Sequence, residues 1–269
     1  MKVHGQFLPS ERDSDALSRT NFKTLNGYKN VSIVIPALNE RMGIIRTINS
    51  IPRKMLRAIG FESEIIVVDG GSQDGTKEAA ESANARVIIE RRRGYGLACR
   101  VGILASKGEM IVVADADGTY PMREIPRLVR LLTEKKLDVI TTNRLTAINS
   151  RTMGGRNKAG NHLLSAWIKL LFGITLGDPE SGMWIFRRGI LPRLRLESNG
   201  WPFSHEFKLE AIHACRHSWK EINIPYGARE GESKVTGAWA TAMEDLLHIT
   251  RMRIFRWVHG DLTPEHTSK

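Results

Sequence analysis

From Val31 onward, short β-branched apolar runs alternate with segments in which apolar residues recur every three or four positions. VSIVIPALNE reads as a strand, and Ile44, Ile45 and Ile48 then fall on one helical face. SEIIVVDGGSQDGT is a second apolar run followed by the helical KEAAESAN. ARVIIERRRGYG, LACRVGILASKG, EMIVVADADGTYP and REIPRLVRLLTEKK continue the series. Such alternation predicts βαβ units, hence a Rossmann-like α/β fold with a mostly parallel central sheet flanked by helices. Ligand-handling residues in these sheets gather beyond the carboxyl ends of the strands. Those ends read Pro36 to Glu40, Asp69 to Asp74, Arg91 to Gly96 and Asp115 to Thr119, and they are expected to face one crevice.

Beyond Val139 the pattern is less regular and rich in Gly and Arg up to Asn161, as expected of a second half of the same domain. No fixed-period repeat is present. The apolar stretch from Leu163 to Leu176 carries Lys169 and is too short to cross a bilayer, which takes about 20 apolar residues. From Gly237 to Val258, the residues Trp239, Met243, Leu246, Leu247, Ile254, Trp257 and Val258 recur at helical spacing and predict an amphipathic helix. Two placements suit it: packing on the domain, or lying on a membrane surface with Arg251, Arg253, Arg256 and Trp257 toward anionic headgroups. The expected organisation is a polar arm over 1–28, one domain over 29–235, and an amphipathic helix and tail over 236–269.

The charge balance narrows the partners. Lys and Arg outnumber Asp and Glu by 40 to 29, a formal net charge of +11, so anionic partners are favoured. Nucleic acid is not among those expected, because no zinc spacing, recognition-helix pattern or stacking-aromatic sheet motif is present. Cys99 and Cys215 have neither paired nor metal-type spacing, which fits free buried thiols in a reducing compartment. The N-terminal stretch has no apolar core before a small-residue cleavage site, so it does not read as a secretory signal. A cytoplasmic location is expected.

The run IVVADADGTYP ends an apolar strand with two carboxylates, Asp115 and Asp117, separated by Ala116. Residues i and i+2 of a strand point to the same side about 6 to 7 Å apart, so both could approach one hard divalent cation. A solvated Asp-Gly turn is the plainer reading. Two like charges at the end of a buried strand repel each other, however, and a cation removes that repulsion.

With these residues in view, VSIVIPALNE, EIIVVDGGSQDGT, GYGLACRVGILASKGEMIVVADADGTYP and DPESGMWIFRRGIL resemble glycosyltransferase family 2, which has the nucleotide-sugar-binding GT-A fold. The resemblance runs from about Val31 to Lys234. DPESGMWIFRR followed by IPYGAREGESK is most similar to the dolichyl-phosphate mannose synthase branch, whose members move a sugar from a nucleotide donor to a polyprenyl phosphate. It implies that Pro36, Ala37, Asn39 and Glu40 line the nucleoside pocket of a GDP- or UDP-sugar, and that Asp69, Gly71 and Ser72 hold base and ribose. Asp115 and Ala116 complete the donor site, with Mg²⁺ or Mn²⁺ on Asp115 and Asp117. Arg93, entering a glycine loop ahead of a helix, could pair with the diphosphate, although its basic run also reads as a solvated strand end. Asp178 and Glu180 are candidate bases or loop-orienting groups on the acceptor side. Arg229, Ser233 and Lys234 match the segment that handles the acceptor phosphate, with Arg229 and Asp117 counted among the catalytic candidates.

Some positions keep two readings. Asp74 and Ser72 suit either the donor pocket or a helix N-terminus. Glu206 lies where related enzymes also carry acids, and its neighbour His205 reads as a partly buried structural residue. The implied reaction is a metal-dependent inverting transfer to a polyprenyl phosphate. The alternative is a soluble transferase acting on a small phosphorylated or hydroxylated acceptor. Many relatives continue into transmembrane segments that this chain lacks, so attachment is expected to be peripheral on the cytoplasmic membrane face or through a membrane-anchored partner.

Overall fold

The computed structural model describes residues 29–145, 155–227 and 238–258. Seven strands form one sheet: β1 (Lys29–Ala37), β2 (Phe61–Asp69), β3 (Arg86–Ile89), β4 (Met110–Val113), β5 (Val139–Asn143), β6 (Trp184–Arg187) and β7 (Trp219–Asn223), in the order β3-β2-β1-β4-β6-β5-β7. Strands β3, β2, β1 and β4 are parallel, β6 runs antiparallel to both β4 and β5, and β7 pairs parallel with β5. The sheet is therefore mostly parallel, as the alternation predicts.

The strands read as continuous apolar runs because both faces are covered. Val31, Ile33, Ile35, Met110 and Val112 pack on one side against Ile44 and Ile48 of α1 (Arg41–Asn49) and against Ile125, Leu128, Val129 and Leu132 of α5 (Ile125–Glu134). The three-to-four-residue spacing of those helical positions is the stripe a core-facing helix needs. On the other side Val34, Ile111, Val113, Trp184 and Phe186 meet Cys99 and Ile103 of α4 (Tyr95–Ala105) and Phe203 and Phe207 of α7 (Phe203–Cys215). Two shorter helices, α2 (Arg53–Ala58) and α3 (Thr76–Ser82), complete the β1–β3 side. Cys99 and Cys215 are free and buried.

The last helix, α8 (Ala238–Val258), docks on the domain. Its Ile249 is fully buried with Leu209 of α7 and with Leu164 and Ile168 of α6 (Gly155–Phe172), and Leu246 and Met252 pack beside them. The Trp167 indole N–H donates to Thr250 Oγ1 at 3.1 Å across the same seam. The apolar positions predicted from the sequence therefore divide. Leu246 faces the domain, whereas Met243, Leu247 and Ile254, joined by Phe255, stay exposed. The side chains of Trp239, Arg256, Trp257 and Val258, and the whole 1–28 arm, lie outside the described residues. Among the described residues no helix is long and apolar enough to cross a membrane.

Candidate active site

Sheet register brings the expected loops to one edge. Ala37 lies beside Asp69, and Val34 beside Val113, so the carboxyl ends of β2, β1 and β4 are neighbours. Because β6 is antiparallel and Trp184 pairs with Val113, the segment entering β6 arrives at the same edge with Gly182 and Met183. Strands β5 and β7 also end there, and the Ile224 N–H donates to Asn143 O at 3.1 Å.

At the first two strand ends the polar residues organise one another. Asn39 takes a left-handed backbone conformation (φ 48°), which Asn tolerates better than most residues, and turns the chain from β1 into α1. Its N–H donates to Ser72 Oγ at 2.8 Å, and its Oδ1 accepts the Gln73 N–H at 2.9 Å. Asp69, 2% exposed, accepts the N–H groups of Gly71 and Ser72 at 3.2 and 3.1 Å and the Ser72 hydroxyl. A carboxylate has about four acceptor positions, so Asp69 retains capacity for a ligand N–H or hydroxyl. Ala37 O accepts the Gly70 N–H at 2.8 Å, and the Glu40 N–H donates to Thr76 Oγ1 at 2.8 Å. Asp74 takes the Arg41 and Thr76 N–H groups at 3.0 Å each. Burial would raise its carboxyl, but bonds from Thr76 and Arg41 hold it below its ordinary value. That is the helix-terminus role left open by the sequence. Arg93 is exposed on the loop between β3 and α4.

The Asp115–Asp117 segment is gripped from both halves of the sheet. A Cβ at Gly43 of α1 would lie 2.7 Å from Ala116 O and 2.9 Å from Asp117 Cα, and one at Gly182 would strike the Asp115 carboxylate. Thr47 of α1 latches the same turn: its hydroxyl donates to Ala116 O and accepts the Gly118 N–H, both at 3.1 Å. Asp117, 3% exposed, accepts the Thr119 N–H at 3.1 Å and its hydroxyl at 2.6 Å on Oδ1. The Tyr95 hydroxyl donates to Asp115 Oδ1 at 3.2 Å, and the Gly182 N–H donates to the Tyr120 hydroxyl at 2.5 Å. Burial followed by the Asp115 charge pushes the Tyr95 phenol well above its ordinary pKa, so Tyr95 acts as a donor. Among the described residues no group of three or more His, Cys, Asp or Glu is placed to hold a metal. The residues present fit a hard cation held by two carboxylates, with water and substrate phosphate oxygens filling its shell.

The two acids before β6 have different fates. Asp178 is fully buried and makes a two-pronged ion pair with Arg144, Nε to Oδ2 at 2.7 Å and Nη2 to Oδ1 at 2.8 Å, while the Asn161 side-chain amide donates to Oδ1 at 2.7 Å. Burial alone would raise its carboxyl, but Arg144 and then Lys208 hold it below the ordinary value. Both oxygens are committed, so Asp178 braces the loop and is a poor proton acceptor. Glu180 keeps 32% of its side chain exposed and pairs through Oε1 with His205 Nδ1 at 3.0 Å. Burial raises its carboxyl, and the His205 contact more than offsets this, leaving it below the ordinary value. Of the two acids, Glu180 is the one whose side chain is partly exposed.

Helix α7 carries the support for this loop. Lys208, fully buried, donates to Pro179 O at 2.6 Å, Ser181 O at 2.5 Å and Ser204 Oγ at 3.1 Å. Burial lowers its ammonium pKa to about 8 despite Asp178 and Glu180. His205, expected to be partly buried, is fully buried, and its Nδ1 lies 3.9 Å from Asp245 Oδ1 of α8. Burial, then the charges of Glu180 and Glu244, raise the Asp245 carboxyl to about 8. Glu206 accepts the N–H groups of Glu197 at 2.9 Å and Ser198 at 3.0 Å, so it anchors a loop.

Arg229, Ser233 and Lys234 lie outside the described residues. The preceding chain is placed: the Gly227 N–H donates to Thr119 O at 2.9 Å, and the Tyr226 ring meets Tyr120 edge-on at 5.3 Å. Thr47, Tyr95, Tyr120, Arg144 and Lys208 were not singled out from the sequence. The signal visible for Lys208 was a lysine set between Phe207 and Leu209.

Comparison with known proteins agrees with this geometry. Glycosyl transferase family 2 matches residues 32–195. A dolichyl-phosphate hexose transferase of Haloferax volcanii is 30% identical over 208 residues, covering 77% of this chain and 87% of that protein. Dolichol-phosphate mannosyltransferase of Pyrococcus furiosus is 29% identical over 246 residues, 84% of this chain and 64% of that protein. Glucosyl-3-phosphoglycerate synthase of Mycobacterium tuberculosis, solved with phosphoglyceric acid, superposes with a TM-score of 0.67 at 24% identity, over 86% of this chain and 82% of that one. Its complex with Mn²⁺, UDP and glucosyl-3-phosphoglycerate gives a TM-score of 0.66 at 24% identity, with the same coverage of both chains. The seven-stranded sheet with its carboxylate pair at the β4 end is a GT-A fold, and the chain belongs to glycosyl transferase family 2.

Proposed function

We propose that this glycosyltransferase moves a hexose from a nucleoside-diphosphate sugar to a polyprenyl phosphate, with inversion and with Mg²⁺ or Mn²⁺ at Asp115 and Asp117. The observation that carries the acceptor is the likeness, over three quarters or more of the chain, to two transferases named for dolichyl phosphate. A bound divalent cation supplies a Lewis acid that neutralises charge on the departing diphosphate.

The chain's own residues position the reactants. Pro36, Ala37, Asn39, Glu40, Asp69, Gly71 and Ser72 form the nucleoside side, and Arg93 adds positive charge toward the diphosphate. Arg229, Ser233 and Lys234 take the acceptor phosphate; they follow Gly227, which is bonded to the loop of Asp117 through Thr119. A phosphate nucleophile is anionic at neutral pH, so Glu180 orients the acceptor and removes no proton. Catalysis is then mainly positioning and charge stabilisation.

Access to a lipid acceptor is peripheral in this reading. The outward strip of Met243, Leu247, Ile254 and Phe255 on α8, with exposed Arg251, has the composition of a surface that meets an anionic bilayer. The second reading, a soluble transferase with a small acceptor, is favoured by the superposition on an enzyme solved with phosphoglyceric acid and by the docking of α8. Radiolabelled UDP- and GDP-hexoses with a divalent cation separate the two. Label entering the organic phase only when polyprenyl phosphate is present supports the lipid acceptor. Label passing instead to a water-soluble phosphorylated or hydroxylated acceptor replaces it with the second reading.

A further inference from the structure

The loop from Glu197 to Pro202, ahead of α7, is built more rigidly than its surface position requires. Glu206 ties down its first two N–H groups. At its far end the Gly96 N–H donates to Gly200 O and the Leu97 N–H to Asn199 O, both at 3.1 Å. Arg100 reaches Asn199 Oδ1 at 3.1 Å, and a Cβ on Gly96 would lie 2.5 Å from Phe203 Cβ. The loop is zipped to the start of α4 on one side and to α7 on the other. This framework presents one side chain, Trp201, whose ring stacks on Tyr95 with centroids 4.9 Å apart and planes 17° from parallel.

Trp201 is nevertheless 39% exposed. Tyr95 stacks against the indole while a substantial part of Trp201 stays open to solvent, although Trp184 shows that the fold buries such a side chain completely where packing is the purpose. The other end of Tyr95 donates its hydroxyl to Asp115 Oδ1. The exposed indole therefore sits one tyrosine away from the carboxylate pair, on a surface held still before any ligand arrives.

We propose that Trp201, backed by Tyr95, is a stacking platform for the pyranose ring of the sugar nucleotide and sets affinity for the hexose. This rests on the donor reading above. A pyranose has one face of C–H bonds, which complement the negative face of an aromatic ring. The hexose is joined directly to the diphosphate, so it must lie beside the groups that hold that diphosphate. Stacking also gives the sugar a fixed orientation, and Glu206 acts as a positioning residue for the platform.

The test is calorimetric titration, with Mn²⁺, of UDP-glucose against UDP and of GDP-mannose against GDP. Wild type, Trp201→Ala and Trp201→Phe are compared, each checked for an unchanged melting curve. In Trp201→Ala the sugar nucleotide should lose about three- to tenfold in affinity beyond any loss shown by its nucleoside diphosphate, and Trp201→Phe should recover most of it. The wild-type tryptophan emission should change with the sugar nucleotide and not with the diphosphate, and that difference should vanish in Trp201→Phe. Equal losses for both ligands would assign the indole to the base or diphosphate and overturn the proposal. No loss for either in a folded Trp201→Ala protein would overturn it too. Failure of the wild type to bind either sugar nucleotide removes the donor reading itself, and this inference with it.

Discussion

The two sides of the sheet edge hold their polar groups by different means. On the β1–β2 side, Asp69, Ser72, Asn39 and Asp74 are tied mainly to backbone N–H groups and to one another, and Ser72, Asn39 and Asp74 lie partly or largely open to solvent. Their geometry is local, built from turns whose hydrogen bonds close within a few residues or across adjacent strand ends. On the β5–β6 side the same edge is held by groups taken largely out of water: the Asp178–Arg144 ion pair, Lys208 on two carbonyls, and the buried His205 between Glu180 and Asp245. A loop-built pocket tolerates loss of one contact, whereas a buried ion pair leaves an uncompensated charge when one partner goes.

The sharpest way to break that contrast is Arg144→Ala, which strands Asp178 in the interior. We expect a stability loss of about 3 to 5 kcal/mol, read by urea unfolding. Asp69→Asn on the other side should cost far less in the same assay. If the two variants lose equally, the distinction fails.

Asp117→Asn should act on chemistry rather than on stability. It is expected to lower turnover by about two to three orders of magnitude, the usual effect of removing one preorganised charge-stabilising group, with a nearly unchanged melting temperature. Full activity of this variant in EDTA would remove the cation from Asp115 and Asp117.

Glu180→Gln sharpens the comparison at the acceptor. A phosphate acceptor needs no base, so its rate should fall less than about tenfold. A hydroxyl acceptor would lose about 10² to 10⁴. Rates with both acceptors, measured side by side, therefore report which one the loop serves.

A pH dependence carried by Asp245 sharpens the comparison in a different way. Its folded carboxyl stays protonated up to about 8, whereas the unfolded group ionises near the ordinary value of 3.8. Across that window folding takes up a proton, so the contribution to stability falls as pH rises. Asp245→Asn should melt higher relative to wild type at pH 8 than at pH 5, by on the order of 10 °C. A difference that does not change with pH would mean that Asp245 is ionised throughout.

The β1–β4 side was legible from the sequence because parallel strands place their carboxyl ends together whatever the details of packing. Thus PALNE, DGGSQDGT and DADGT could be assigned to one edge before any coordinates. The other side was less legible for a physical reason. Arg144 meets Asp178 across 34 residues, and Lys208 meets Pro179 across 29, distances at which no periodic pattern links partners. Asp178 itself was visible, but its bracing role depends on an arginine that only the β5–β6 pairing brings close. The tail helix shows the same limit. Its amphipathic spacing was plain, yet Leu246 and Leu247, adjacent in sequence, part company because the helix offers two apolar stripes, one to α6 and one to solvent.

The two glycines that clasp the aspartate pair also bear on how this enzyme could be diversified. Gly43 touches backbone and Gly182 touches a carboxylate, so neither neighbour can swing aside without moving Asp115 or Asp117. In a saturation library both positions should tolerate almost nothing, not even alanine, although neither presents a chemical group to the reaction. Trp201 and the exposed loop residue Gln73 can vary without disturbing that clasp. Attempts to change the sugar or the base should therefore randomise the rim and leave the two glycines untouched.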